Sequence, residues 1–195
     1  RLRSQLPELR RLGPRLRLPC IDLALPALRE LSDTQRRAFL AALEQLVTID
    51  QRYTLPEYVM LSLLRKQLAA DAGALRPVRH RNFAAVAEPL NQLLSLLAHA
   101  GGGDEASRAA RHARVVAGFA IGKLPLLPLG GNATGTLHAA LTELAALSPL
   151  LKKPVLDACL DCIGDDRQLR ITEVELVRAV AETLDCPVPL LIAGG

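Results

Sequence analysis

Tryptophan is missing from this chain, methionine occurs once, and the aromatic side chains are few: Phe39, Phe83, Phe119, Tyr53 and Tyr58. Half of the 195 residues are nevertheless apolar, so leucine and alanine must supply the interior. A core that is poor in aromatic and β-branched residues disfavours sheet packing and predicts helices packed on helices. The length is enough for one sizeable domain with a full core, and an ordinary charged fraction argues against overall disorder.

A long hydrophobic run is lacking too. The most apolar stretch, 115–131, is broken by Lys123, Pro125 and Pro128, whereas a spanning helix needs about 20 uninterrupted apolar residues. No signal-peptide pattern stands at the start, and the opening on Arg1 fits a segment of a longer polypeptide. An excess of either charge sign is missing from the body of the chain. Of the net +4, residues 1–19 contribute +5, six arginines against Glu8, which leaves −1 on the remainder. A basic tail on a near-neutral body lacks the footprint of a nucleic-acid-binding surface. The tail reads as a solvated linker, or as a contact for anionic lipid or an acidic partner.

Four cysteines do not make a disulfide framework at this length. Cys159 and Cys162 form a C-x-x-C, which is either redox-active, half of a zinc site, or a pair of small core residues. Cys20 and Cys186 stand alone and no histidine lies at ligand spacing. The core reading is preferred.

What is present is helical periodicity. Helices are expected at 20–32, 34–48, 55–69, 82–100, 107–122, 136–147, 150–163 and 172–185. Asp22 is expected to cap the first, with Pro26 in its first turn, and the fourth should bend or restart near Pro89. "GGGDE" (101–105) reads as a flexible linker and 124–135 as irregular. The predicted architecture is an all-α bundle of about eight helices: a basic tail over 1–19, then one domain over 20–191.

Residues 27–68 align with 143–184 at a constant offset of 116 without gaps. Leu28, Leu31, Ser32, Leu40, Ala42, Asp50, Glu57 and Leu68 meet Leu144, Leu147, Ser148, Leu156, Ala158, Asp166, Glu173 and Leu184. Leucines at helical spacing match at many offsets, but Ser, a basic pair, Asp and Glu in one register do not. Two copies of a three-helix unit, about 22–70 and 137–186, are therefore expected around the intervening helices 82–123. Cys159 and Cys162 take the places of Leu43 and Leu46.

The two copies share an acidic turn, "TIDQRYTLPEY" (48–58) and "GDDRQLRITEV" (164–174). An EF-hand fails, because the acids are seven apart with no glycine between them. Helix initiation explains the residue types better: Thr54 and Glu57 match a capping box, and Thr172 with Glu175 offers the same spacing in the second copy. Leu55 and Ile171 are expected in short extended segments. A loose divalent-cation site built from Asp50, Glu57, Asp165, Asp166 and Glu173 is the alternative, and it requires the two turns to meet.

A turn with Asp, an aliphatic residue, an acid and then an apolar helix resembles the tellurite-resistance TerB-like helical domain, with Gln51 and Arg167 where that family carries glycine. Residues 20–70 and 137–191 resemble more closely the C-terminal helical region of bacterial membrane-bound zinc metallopeptidases of the HtpX and CAAX-protease-like type. The resemblance implies a non-catalytic regulatory or interaction domain at the cytoplasmic face of the inner membrane. Its partner would be its own peptidase domain or another protein, and zinc would sit only in that peptidase domain. The peptidase signature H-E-x-x-H does not occur here. His80, His99, His112 and His138 are dispersed and read as solvated or incidental. The alternative function is a free-standing TerB-like stress domain that binds divalent cations or oxyanions through the acidic turns.

Overall fold

The computed structural model describes residues 7, 11–48, 54–68, 77–163 and 170–187. Its helices are α1 (Arg17–Arg29), α2 (Asp33–Thr48), α3 (Leu55–Leu68), α4 (Ala87–Ala100), α5 (Glu105–Ala117), α6 (Ala133–Ala145), α7 (Pro149–Ile163) and α8 (Ile171–Thr183). Short 3-10 turns precede α1 and α4, and the described residues contain no strand beyond one isolated bridge. The expected all-α bundle of about eight helices is what the chain forms. No helix among the described residues is long and apolar enough to cross a membrane.

The internal symmetry is visible in the helix bounds. Shifted by 116 positions, Arg17–Arg29 falls on Ala133–Ala145, and the starts Asp33 and Leu55 fall on Pro149 and Ile171. The packing repeats as well: α1 and α2 lie on α3, as α6 and α7 lie on α8, and the two third helices pack against each other. Helices α4 and α5 break the symmetry. Helix α4 packs on α6 and α7, and α5 backs α7. Leu90, Leu93, Leu94 and Leu97, at i, i+3, i+4 and i+7 along α4, are all completely buried. Each such side chain contributes about 1.5–3 kcal/mol.

Several boundaries differ from the sequence reading. Helix α1 starts at Arg17, and Leu18 is already in the core, so the end of the basic tail belongs to the fold. Pro26 lies inside α1 rather than in its first turn. Asp22 does not cap it; its carboxylate takes a two-pronged hydrogen bond from Arg178 of α8, with one arm at 2.9 Å. Pro89 falls in the first turn of α4, where its missing N–H costs nothing. Leu55 and Ile171 are the first residues of α3 and α8, not extended segments.

The glycine stretch after α4 is a packed turn. A Cβ at Gly101 would lie 2.5 Å from the Arg111 guanidinium and 2.9 Å from the Cys162 carbonyl oxygen. Asp104 closes the turn by accepting from the Ser107 N–H at 2.8 Å, which caps α5. Residues 79–80 clip onto the α6–α7 turn: the Arg79 and His80 N–H groups donate to the Ala146 carbonyl, and the Ser148 N–H donates to that of His80. Phe83 then meets Phe119 edge to face at 4.7 Å.

Candidate functional site

Glu57 and Glu173 each begin a helix and turn back on it. The Glu57 carboxylate accepts from the Thr54 N–H at 2.9 Å and from its hydroxyl at 2.6 Å. Glu57 reaches back to the cap amide as expected from "TLPE", while the Thr54 hydroxyl turns to the carboxylate instead of to the Glu57 N–H. In the second copy the matching bond sits at Arg170 and Glu173, with the Arg170 N–H donating to Glu173 at 2.6 Å, and not at Thr172 and Glu175. The Arg170 side chain has no acceptor to complete a box. Asp50, Asp165 and Asp166 lie outside the described residues. Among the described residues no three His, Cys, Asp or Glu side chains are grouped to hold a metal ion.

Glu175 is the surprise of α8. It is 2% exposed, and neither carboxylate oxygen has a hydrogen-bond partner. Burial raises its pKa, and the charge of Arg17 offsets this only in part. One repeat earlier the same position holds Val59, also buried.

A buried polar network lies where α4 and α5 meet the irregular segment 118–132. The His112 Nε2–H donates to Asn91 Oδ1 at 2.8 Å and lies 3.2 Å from Ser95 Oγ. Ser95 Oγ also accepts from the Leu127 N–H, and the Asn91 amide donates to the Pro125 carbonyl. His99 donates from Nε2 to the Leu127 carbonyl at 2.9 Å. These bonds strap 125–127 across the bundle and satisfy backbone groups that have no helix to serve them. Burial lowers the His112 pKa, with the charge of His99 adding to it, so the ring is neutral. The sequence reading of His112 as solvated or incidental is corrected, since the ring is 1% exposed. Its partners are 17 and 21 residues away, and nothing local in the sequence marks them.

Cys159 and Cys162 are completely buried on α7, as the core reading expected. Burial pushes the Cys162 thiol up to about 12, which nearby Arg111 only partly offsets. Burial also raises Cys159 strongly, with Cys162 and Cys186 adding to it. Both are protonated thiols packed as small apolar groups. Arg111, 4% exposed, donates to the Cys162 carbonyl at 3.1 Å, where a cation suits the end of a helix.

A cleft of about 300 Å³ opens beside the strap, between Leu55, Leu96, His99, Leu129 and Ala133. Its walls are mainly apolar, and the Nε2–H of His99 is already committed to Leu127. A second set of surfaces separates the two repeat units. Leu46 is 65% exposed, whereas its counterpart Cys162 is sealed. No protein-family model matches this chain, and neither a curated protein nor a solved structure matches it.

Proposed function

We propose that this chain is a non-catalytic helical interaction domain, carried by a membrane-tethered zinc metallopeptidase as its resemblance implies. The unequal burial of the two repeat units carries the reading. Ala158 and Cys162 of α7 are covered, while Ala42 and Leu46 at the same positions of α2 face solvent. An apolar helix face that its own duplicate buries is a surface kept for contact. The buried polar groups support the same reading by their employment: Arg111, His112, Asn91 and Ser95 serve backbone groups or one another. On this reading the zinc belongs to the peptidase domain, and this domain presents that domain or another protein with a docking face.

Photocrosslinking in cells tests it. A crosslinking residue at Leu46 is expected to give protein adducts, and one at Leu150, 89% exposed, is not. Peptides from the Leu46 adduct that include an H-E-x-x-H segment would tie the partner to a zinc peptidase. Equal adducts at both positions, or none at Leu46, would overturn the proposal.

A further inference from the structure

The groove that α4 occupies has a duplicate, and the duplicate is open. In the second unit α4 packs on α6 and α7, and α5 also backs α7; the buried residues of α6 and α7 include Ala140, Leu141, Leu144, Val155, Ala158 and Cys162, each at most 6% exposed. In the first unit the same positions are Ala24, Leu25, Leu28, Phe39, Ala42 and Leu46. Four of the six are identical residues, and the other two are larger apolar side chains. Yet Ala24, Ala42 and Leu46 are exposed there, and Leu25, Leu28 and Phe39 are half-buried. The frames match as well, because α1 and α2 sit on α3 as α6 and α7 sit on α8.

We infer that the α1–α2 groove binds a leucine-rich amphipathic helix of a partner protein, in the pose that α4 takes in the α6–α7 groove; this rests on the interaction-domain reading and names its ligand. The occupant's chemistry is read from α4 itself: apolar residues at i, i+3, i+4 and i+7 toward the groove, which is the helix-in-groove mode of recognition. A second copy of the chain is the less suitable donor. Its own α4 leucines are fully sealed, and offering them would require opening its core.

The probe is a labelled peptide with the α4 sequence "AEPLNQLLSLLAHA", titrated into the whole chain. Saturable binding is expected, with amide-shift changes confined to α1 and α2. Ala42→Glu should weaken it at least about tenfold by placing a charge on the groove floor. Ala42 is exposed in the free protein, so an unchanged melting curve verifies that this variant folds. A peptide of the same composition with its leucines off the i, i+3, i+4, i+7 register should not bind. Failure of the α4 peptide to bind, or equal binding to Ala42→Glu, overturns the proposal. A dimer that Ala42→Glu dissolves also overturns it, by making a second copy the occupant. Adducts at Leu46 without peptide binding leave the interaction-domain reading standing and remove the helical ligand. Peptide binding without adducts at Leu46 in cells overturns the interaction-domain reading, and the partner-protein ligand falls with it.

Discussion

Glu57 and Glu173, 116 positions apart, perform the same operation. Each carboxylate reaches back three residues and accepts the backbone N–H of the residue before its helix, Thr54 at 2.9 Å and Arg170 at 2.6 Å. The cap residues differ, and the shared bond is the one to the amide; Thr54 adds its hydroxyl to Glu57, which Arg170 has no group to match. The register of the duplication is therefore held by two glutamates that start the two central helices.

Removing either carboxylate leaves an amide unsatisfied. Glu57→Ala is expected to cost about 0.5–1.5 kcal/mol, and Glu173→Ala about 1–3 kcal/mol, since Glu173 is 3% exposed. Urea unfolding of each variant measures this. The losses should be the same with calcium, magnesium or chelator present, and a loss that appears only with metal would point to a cation site instead.

The duplication and the number and approximate places of the helices are legible because both follow from residue spacing along the chain; several starts are displaced, as at Arg17 and Ala87. The Arg170–Glu173 bond is not legible from the S/T-x-x-E pattern, because the carboxylate needs only an N–H at the cap and any residue but proline supplies one. The polar network was illegible for another reason. His112, Ser95 and Asn91 meet across a helix pair and a non-helical strap, and no periodicity encodes that meeting. Glu175 reads as a helix-start acid in sequence. The offset of 116 sets it opposite Val59, and only the packing of α8 within the bundle reveals that the position is buried.

His112 makes the protein sensitive to acid. Burial lowers its pKa below 6.5, so the unfolded chain binds a proton more readily than the folded one. Its contribution to stability is present above about pH 6.5 and is lost as pH falls toward the folded-state pKa. His112→Leu should remove that acid limb and destabilise by about 1–3 kcal/mol at neutral pH, by leaving the buried Asn91 Oδ1 without its donor. It should also loosen the strap, read as faster proteolysis within 118–132. An unchanged acid limb would count against the assignment.

The thiols should divide into two classes. Cys20 and Cys186 are half-buried, while Cys159 and Cys162 are sealed and protonated. Under native conditions iodoacetamide is expected to label Cys20 and Cys186 first. Cys159 and Cys162 should react only at the rate of global opening, and faster in urea. Labelling of Cys162 at the pace of Cys20 would return the C-x-x-C to redox or metal chemistry.

Glu175 is a site where the duplicate supplies the better residue. Its carboxylate is buried without a hydrogen-bond donor, a cost that Val59 does not carry at the equivalent position. Glu175→Val should therefore stabilise the fold by about 1–3 kcal/mol at neutral pH. Burial raises the folded-state pKa above 4.5, so the folded chain holds the proton more tightly than the unfolded one. The wild-type protein keeps this group's favourable contribution below about pH 4.5 and loses it as pH rises through the folded-state value. The advantage of the variant should accordingly grow with pH across that interval and then level off. Arg17, the charge that partly offsets the burial, is half-buried and can hydrate once its neighbour is gone. Unfolding curves of both proteins from pH 4 to 8 measure the difference, and a variant less stable than wild type at pH 7 would mean that Arg17 and Glu175 form a net-stabilising pair.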